Sequence, residues 1–341
     1  MLPARVSPAI EMKSLSAIID YRDECLTGAR AKMKERAGAR VPDAMRHEAD
    51  GAMPGSGADG RAESPGRPDV VVREIECKTI LNRTSIGGYS LNCYTGCAHA
   101  CVYCYARFMQ RFHPHPEQWG GFVDVKVNAV EVLERQLRRA SPGEVFVSSA
   151  CDGWQPLEAG LKLTRRCCEL LLEHGFQPNV LTKSALVLRD LDLFAGRAGR
   201  IGVTVTTLDE GLSKLWEPHG SSVEARFGVL SEARRAGVET AVMFGPLLPF
   251  LSDGQDSIDA MFGRAADLRV GTIWVDALNP RPRVWPSVAG LLRERFPDLR
   301  ERYARILFDR RVRERYIDGL RDRVARAAER FAVTERIAGC M

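Results

Sequence analysis

Three cysteines, Cys97, Cys101 and Cys104, lie within eight residues of one another and constrain the fold more than any other feature. They follow an apolar run at residues 86–91 that predicts a buried strand. Three thiolates on one short loop can hold three irons of a 4Fe–4S cube and leave the fourth iron free for another ligand. A structural zinc site would need four ligands instead. Cys93 is the one candidate for a fourth ligand, so a closed iron–sulfur or zinc site in a non-catalytic electron-transfer module stays open as an alternative.

Composition narrows the class of protein further. The chain has 341 residues, of which 45% are hydrophobic, and this is enough for a core of barrel size. Its net charge of +5 fits anionic partners but does not require a nucleic acid. Ten cysteines in a chain of this length favour a reducing compartment over a disulfide framework. We see no signal peptide and no apolar run long enough to span a bilayer, and we therefore expect a soluble cytoplasmic protein that does not contact membranes.

Strand-like and helix-like segments alternate regularly after residue 144. The strands are expected at residues 145–147, 179–182, 201–206, 240–244 and 272–275, and the helices at 161–173, 185–194, 223–236 and 257–267. This alternation predicts parallel βαβ units. With the strand before the cysteines there are about six units, which is short of the eight of a closed barrel. The expected fold class is α/β, a partial (β/α)6 TIM-type barrel with an N-terminal extension and C-terminal helices.

Segments outside this series divide the chain into three parts. Residues 1–70 predict an N-terminal extension, with an amphipathic helix at 12–37 and a Gly- and Pro-rich linker at 44–68. Residues 71–285 form the predicted barrel, in which 102–112 and 129–139 are expected to be helices and 122–127 a short strand outside the main series. Residues 286–341 form a predicted helical segment.

The helical segment is rich in arginine. Between residues 296 and 330 it carries 11 arginines and 7 acidic residues, with apolar residues at helical spacing. This pattern favours helices packed on the barrel with arginine-rich outer faces. A surface that contacts phosphates is the alternative.

Polar residues follow the predicted strands, where an α/β barrel places its chemistry. Asp152 and Glu158 follow the second strand, Lys183 the third, and Asp276 to Asn279 the sixth, while Thr204 lies on the fourth. We expect these side chains to surround one cavity. A carboxylate such as Glu158 that opens a helix could instead cap it.

The spacing Cys-x3-Cys-x2-Cys, with Tyr103 just before the last cysteine, resembles the radical S-adenosylmethionine (SAM) superfamily. Further blocks, in order, resemble a subgroup related to spore photoproduct lyase and described as DNA repair photolyase-like. These blocks are Asp152 with Gln155-Pro156 and Glu158, Thr182-Lys183, Glu217-Pro218, Arg226 and the Pro-rich end of the fifth strand. The resemblance covers roughly residues 72–310. The subgroup's usual Thr-Asp-Pro-Tyr-Gln-Pro is here Cys151-Asp152-Gly153-Trp154-Gln155-Pro156, and this departure affects the detail of substrate recognition.

The resemblance implies an enzyme with two cofactors. A 4Fe–4S cluster would sit on Cys97, Cys101 and Cys104, and SAM would chelate the open iron. An external one-electron donor of the flavodoxin or ferredoxin type would reduce the cluster, which would cleave SAM to methionine and a 5′-deoxyadenosyl radical. The radical would act on a substrate that the sequence does not identify. DNA or RNA is the first substrate class to test, and we expect weak binding.

The resemblance also assigns roles to individual residues. Tyr103 would lie by the adenine of SAM, Lys183 would pair with its carboxylate, and Thr204 would contact it. Asp152 would bind its amino group or ribose, and Arg226 a carboxylate. Cys151 would donate a hydrogen atom, although Ser149 is an equal candidate for that place. Each side chain also has a purely structural interpretation: a core aromatic, a solvated loop lysine, a strand residue, a helix cap, a surface arginine and a buried thiol.

Overall fold

Two β-sheets form the framework of the computed structural model, which describes residues 70–84, 88–281 and 283–340. The helix predicted at 12–37 and the linker predicted at 44–68 lie outside these residues. The strands of the described chain are β1 (Val71–Ile75), β2 (Leu81–Arg83), β3 (Tyr89–Leu91), β4 (Tyr94–Thr95), β5 (Phe122–Lys126), β6 (Glu144–Val147), β7 (Gln177–Thr182), β8 (Arg200–Val205), β9 (Glu239–Leu247), β10 (Thr272–Ala277) and β11 (Ile337–Cys340).

The larger sheet has eight strands in the order β11-β10-β9-β8-β7-β6-β3-β2. Every neighbouring pair from β3 to β11 is parallel, and β2 pairs antiparallel with β3. The six predicted strands are therefore confirmed as β3, β6, β7, β8, β9 and β10, in chain order, and the edge strands β2 and β11 were not predicted. Within the described residues the two edges do not pair, so the sheet stays open as in a partial TIM-type barrel.

Helices cover the sheet between its strands. Those of the described chain are α1 (Ala129–Leu137), α2 (Glu158–Leu161), α3 (Leu163–Glu173), α4 (Leu191–Phe194), α5 (Glu210–Trp216), α6 (Val223–Arg235), α7 (Gln255–Asp267), α8 (Val284–Arg295), α9 (Pro297–Phe308) and α10 (Arg310–Arg330). Buried apolar residues of the main sheet and of most helices form the main core, whereas those of α5, α8 and α9 form a second cluster with Cys101 and Tyr103. None of the helices described is both long enough and apolar enough to span a bilayer.

Two predicted helices differ from the structure. Residues 102–112 contain a 3-10 helix, Tyr105–Arg111, that begins only after the last cysteine of the loop. The preceding residues do not form a helix. Val102 N–H donates to Trp216 O (2.9 Å) instead of to a carbonyl of its own helix, and Ala100 has a positive φ of 56°. Residues 185–194 are a 3-10 helix, Ala185–Asp190, followed by the short α4. Pattern periodicity does not separate 3-10 from α-helical turns in segments this short.

The short strand at 122–127 is confirmed outside the main sheet. It is β5, which pairs in parallel with β1 and antiparallel with β4 in a three-stranded sheet of order β1-β5-β4. This small sheet lies beside the cysteine loop, because β4 ends at Thr95 and the loop begins there. The division of the chain at residues 70 and 285 stays a prediction.

Candidate functional site

A cavity opens at the carboxyl ends of the parallel strands. It is lined from the cysteine loop, from the ends of β6, β7 and β10 and from β8 and β9. Its lining includes Cys97, Cys101, Tyr103, Cys104, Cys151, Asp152, Lys183 and Thr204. Eight of the nine residues to which the resemblance assigned a role therefore lie around this cavity, and Arg226 does not; Glu158, which was also expected at the cavity, does not line it either.

The cysteine loop is held in place by main-chain contacts. Ala98 N–H donates to Oε1 of the fully buried Gln155 (2.9 Å), which follows β6. Gly96 has a φ of +86°, and a Cβ there would lie 2.5 Å from the carbonyl oxygen of Phe122. Gly120, with a φ of +100°, allows a similarly close approach to Ala100. These positions need glycine, because an L side chain would be strained and would clash. The loop therefore has one well-defined path around the cavity.

The three thiols of the loop suit an iron–sulfur cluster by their chemistry. They are free of disulfides, and burial raises the pKa of each of them, that of Cys101 to about 12. A thiolate there needs nearby positive charge, and Lys183 lowers the pKa of Cys101 and Cys104 in part. The buried indole N–H of Trp119 has no oxygen or nitrogen partner in the described chain and also lowers the pKa of Cys104. Iron would supply the remaining charge, because metals bind cysteine as thiolate.

Cys93 lies elsewhere. It is buried in the core beside Cys167, whose hydrogen bond is the largest cause of the raised pKa of Cys93. It is not part of the cavity lining, unlike the three loop cysteines. This placement disfavours the closed four-ligand site.

Lys183 presents an ammonium group to the cavity. Its Nζ lies 5.7 Å from the centroid of the Tyr103 ring. Burial lowers the pKa of Lys183, but Cys101 and Glu217 outweigh burial and raise it above its usual value. The side chain is therefore charged at neutral pH and available to an anionic ligand group.

Tyr103 is tied to a buried network behind the cavity. Its hydroxyl donates to Glu217 Oε1 and lies 3.0 Å from Thr206 Oγ1. Arg226 donates from Nη1 to the other carboxylate oxygen of Glu217 and to Thr204 O (3.0 Å). Burial opposes both charges, yet the pair raises the pKa of Arg226 and lowers that of Glu217. Arg226 thus supports the cavity wall through Glu217, and the predicted contact between Arg226 and the cofactor stays a prediction.

Asp152 has its hydrogen bonds within the protein. Its carboxylate accepts from Thr182 Oγ1 (2.7 Å), Lys183 N–H (2.8 Å) and Trp154 N–H (2.9 Å). His99 Nδ1 lies 3.3 Å from Oδ2. Burial raises the pKa of Asp152, but the His99 ring and the hydrogen bonds outweigh it, so the pKa lies below its usual range. Asp152 therefore joins the cysteine loop to the end of β7, and a cofactor would meet only the face of it that lines the cavity.

Glu158 is a helix cap, the structural alternative weighed above. Its Oε2 accepts from the backbone N–H groups of Leu163 (3.1 Å) and Thr164 (3.0 Å), and its Oε1 from Arg165 N–H (3.1 Å). These are three of the N–H groups of the first turn of α3, which have no partner inside the helix. Tyr94 O–H also donates to it. The side chain is fully buried and does not line the cavity.

Cys151 and Ser149 both line the cavity after β6. Burial raises the pKa of Cys151 to about 12, so the group is a protonated thiol at neutral pH. The Ser149 hydroxyl accepts from Asn92 Nδ2 (2.9 Å) and is already engaged. Cys151 Sγ lies 3.7 Å from Asn92 Oδ1. Of the two, Cys151 carries the weaker X–H bond and the looser contact.

The wall formed by the end of β10 was not assigned a role from the sequence. Asp276, Asn279 and Arg281 line the cavity there, and so does Tyr105 from the 3-10 helix. Burial raises the pKa of Asp276 to about 6. The signal in the sequence was the pair of polar residues, Asp276 and Asn279, at the end of an apolar strand, but nothing in the pattern shows whether their side chains face inward.

One arginine of the C-terminal tail reaches this wall. Arg313 on α10 donates from Nη1 to Leu278 O (3.0 Å) and from Nη2 to Asn279 Oδ1 (2.8 Å). Arg310, three residues earlier, is exposed and pairs with Glu314 at 2.8 Å. The tail thus combines solvated arginines with one that supports the cavity.

Comparisons with known proteins show which sequences this chain resembles. A family model described as the radical SAM superfamily matches residues 91–260. An uncharacterized protein of Methanocaldococcus jannaschii is 34% identical over 187 residues, covering 54% of this chain and 70% of its own. An uncharacterized protein of Mycobacterium tuberculosis strain H37Rv is 31% identical over 295 residues, covering 81% and 86%.

Solved structures show a similar fold. Spore photoproduct lyase complexed with dinucleoside spore photoproduct has a TM-score of 0.59 at 15% identity, over 80% of this chain and 82% of its own. A double mutant of that lyase, with bound AdoMet and dinucleoside spore photoproduct, has a TM-score of 0.58 at 16% identity, over 77% and 79%. At this level of identity the likeness concerns the fold alone.

Proposed function

The chain belongs to the radical SAM superfamily, and from that premise we propose that it is an enzyme that cleaves SAM reductively and acts on a nucleic-acid substrate. One observation carries the proposal. The three loop cysteines, Lys183 and Cys151 all line one cavity at the carboxyl ends of the strands. The proposed cofactors are a 4Fe–4S cluster on Cys97, Cys101 and Cys104, and SAM. When bound and reduced, they would supply a 5′-deoxyadenosyl radical that removes a hydrogen atom from the substrate.

The cavity residues would orient SAM. Lys183 would donate a charge-assisted hydrogen bond to the SAM carboxylate, since its ammonium faces the cavity and is charged. The Tyr103 ring, held by its hydroxyl on Glu217, would form an apolar surface for the adenine. Thr204 on β8 and Met243, its register partner on β9, both line the cavity, and Thr204 would contact SAM. Asp152 would bind the amino group or the ribose of SAM through the part of its side chain that lines the cavity.

Cys151 is proposed as the hydrogen-atom donor. Its Sγ–H bond would break homolytically, the hydrogen atom would pass to a carbon radical on the substrate, and a thiyl radical would remain on Sγ. An electron from an external donor of the flavodoxin or ferredoxin type, with a proton from solvent, would restore the thiol. Burial keeps this thiol protonated, and the protonated form is the one that can donate a hydrogen atom.

Nucleic acid is the proposed substrate class for two reasons. The fold resembles that of a lyase solved with a dinucleoside, and exposed arginines lie along α9 and α10. A base must leave the stack to reach a cavity of this kind. Acidic residues alternate with the arginines, so we expect weak binding that declines steeply with salt. A cytoplasmic location would supply both the reductant and the substrate.

The test is anaerobic reconstitution with iron and sulfide, followed by reduction in the presence of SAM. We expect methionine and 5′-deoxyadenosine in equal amounts. A protein that binds iron and SAM but forms neither product would contradict the enzyme proposal. Binding to nucleic acid is tested with a labelled duplex at low and high salt, using an Arg310→Ala/Arg311→Ala/Arg315→Ala variant. Arg313 stays unchanged in that variant, because it supports the cavity.

A further inference from the structure

Asp276 differs from the other carboxylates at the centre of the protein. Asp152, Glu158 and Glu217 each accept at least three hydrogen bonds from hydroxyl, backbone N–H or arginine donors. Asp276 receives long bonds from the side chain of Asn279, whose Nδ2 lies 3.3 and 3.5 Å from its two oxygens. This carboxylate is half-buried, and with only long bonds from Asn279 beside a backbone contact at Ala277 it has hydrogen-bonding capacity left for a ligand.

The structure holds this carboxylate at the cavity wall. Asp276 follows β10 residue Val275, and its neighbour across the strand pair is Gly245 of β9, where a Cβ would lie 3.2 Å from Asp276 Cβ. Arg313 donates to Asn279 Oδ1, and this leaves the Nδ2 group of Asn279 to face Asp276. The Asn279 orientation therefore follows from a charged donor on the opposite side. Asn279 therefore contacts the carboxylate of Asp276 on one side, and Asp276 lines the cavity on the other.

The titratable groups around Asp276 come from three elements. Tyr105 on the 3-10 helix is one of them. Burial is the main cause of the raised pKa of its phenol, Cys104 and Cys151 raise it further, and Asp276 adds a smaller part. Arg281, in the loop after β10, and Arg313, on α10, both lower the pKa of Asp276, and burial outweighs them. At neutral pH Asp276 is a carboxylate, which accepts hydrogen bonds. Arg281, which carries a guanidinium group, lies on the same wall of the cavity.

We propose that Asp276 is a substrate-contacting residue that accepts a hydrogen bond from the ring N–H of a nucleobase, and that it selects bases that carry one. Guanine, thymine and uracil have a ring N–H beside a carbonyl. The carboxylate accepts from the N–H, and Arg281 donates to the carbonyl. Adenine and cytosine lack this ring N–H, and a phosphate would be repelled by the carboxylate. The inference rests on the proposed function, because it names the part of the nucleic acid that enters the cavity.

The experiment compares two ligands that differ in this one hydrogen. The dissociation constants of uridine and 3-methyluridine are measured by ligand-observed NMR at pH 8 on the reconstituted, SAM-bound, unreduced protein. We expect uridine to bind at least about tenfold more tightly, as for a charge-assisted hydrogen bond. The preference should vanish in Asp276→Ala and decrease in Asp276→Asn, which keeps the side-chain size. Asp253→Asn is the matched control, because burial raises the pKa of Asp253 as it does that of Asp276, but Asp253 does not line the cavity.

Several results would overturn the inference. They are equal affinity for both nucleosides, no binding of either, or a preference unchanged in both Asp276 variants. Tighter binding of the cyclic dipeptide cyclo(Gly-Gly) than of uridine would also overturn it and would favour a peptide substrate. SAM cleavage is assayed in the same samples without nucleoside. Cleavage without the preference refutes this inference alone, whereas the preference without cleavage refutes the enzyme proposal alone.

Discussion

Two walls of the same cavity are built differently. The loop wall, formed by the cysteine loop with Asp152 and Lys183, is supported by short hydrogen bonds and by the buried ion pair of Glu217 and Arg226 behind it. The β10 wall, formed by Asp276, Asn279 and Arg281, has a carboxylate that receives long hydrogen bonds from a neutral side chain.

This difference separates two tasks. Groups that must hold a cofactor in one geometry benefit from neighbours that fix them. A group that contacts a substrate must keep some of its hydrogen-bonding capacity free until the substrate arrives. The loop wall therefore suits cofactor binding, and the β10 wall suits substrate recognition. The predictions below change one wall at a time.

The largest effect is expected from the cysteines of the loop wall. Cys97→Ala, Cys101→Ala and Cys104→Ala should each remove most of the iron and its brown absorbance after anaerobic reconstitution, because three ligands are the minimum for the site. Cys93→Ala should keep both, since Cys93 lies in the core beside Cys167. Iron and absorbance are measured on the purified proteins. A Cys93 variant that loses iron as completely as the other three would restore the four-ligand interpretation.

The next effect concerns the buried ion pair of the loop wall. Arg226→Met should lower the free energy of unfolding by about 3–5 kcal/mol, because it leaves Glu217 buried and unpaired. Arg264→Ala is the control, since Arg264 and Glu224 are 38% and 68% exposed and such a pair contributes at most about 1 kcal/mol. Urea unfolding of both variants provides the values. Equal stabilities would show that Glu217 finds other partners, and adding Glu217→Gln to Arg226→Met should recover part of the loss.

A smaller effect is expected for Lys183. Lys183→Ala should weaken SAM binding by about tenfold or more, because a charge-assisted hydrogen bond contributes roughly 1.5–3 kcal/mol. Iron content should stay unchanged. Lys126→Ala is the control, since this lysine donates to Asn92 O (2.7 Å) outside the cavity lining. Equilibrium dialysis with SAM measures both, and an unaltered affinity in Lys183→Ala would remove this residue from the site.

The smallest expected effect is a difference between the two walls in how the free energy of unfolding depends on pH. The pKa of Asp276 is raised to about 6 in the folded protein, so the folded state binds the proton more tightly than the unfolded state. Stability from this group is present below its unfolded pKa and is lost as pH rises to about 6. Between about pH 4 and pH 7, the free energy of unfolding of Asp276→Asn should therefore increase relative to that of the unmodified protein, by on the order of 1–3 kcal/mol.

Asp152 should show the opposite sign. Its pKa is lowered on folding, so its contribution is present at neutral pH and is lost as pH falls below the ordinary range of an aspartate. Asp152→Asn should be less stable than the unmodified protein at pH 7, and the difference should shrink in acid. Thermal melts from pH 3 to pH 7 test both variants. The same sign for both would mean that the two walls do not differ in the way their hydrogen bonds indicate.

Much of the framework was predictable from local patterns. The alternation of apolar runs with helical periodicity predicted the six parallel strands, because each strand of such a sheet is buried on both faces. The 3-10 helix at 105–111 and the edge strand β11 were not predictable in this way. The first depends on the contact of Val102 with Trp216, and the second on pairing with β10, which lies about 60 residues earlier in the sequence.

The same distinction between local patterns and tertiary contacts applies to the candidate site. Cys97, Cys101 and Cys104 lie close together in sequence, so their spacing alone predicts a three-thiolate metal site. The roles of Glu217, Arg226 and Arg313 were decided only by the tertiary structure, because each acts on a residue from a different element. Whether a carboxylate is a cap, a support or an open acceptor depends on the donors that folding brings to it. Glu158, Asp152 and Asp276 were all predicted as carboxylates at the ends of strands, and folding gives each a different set of donors.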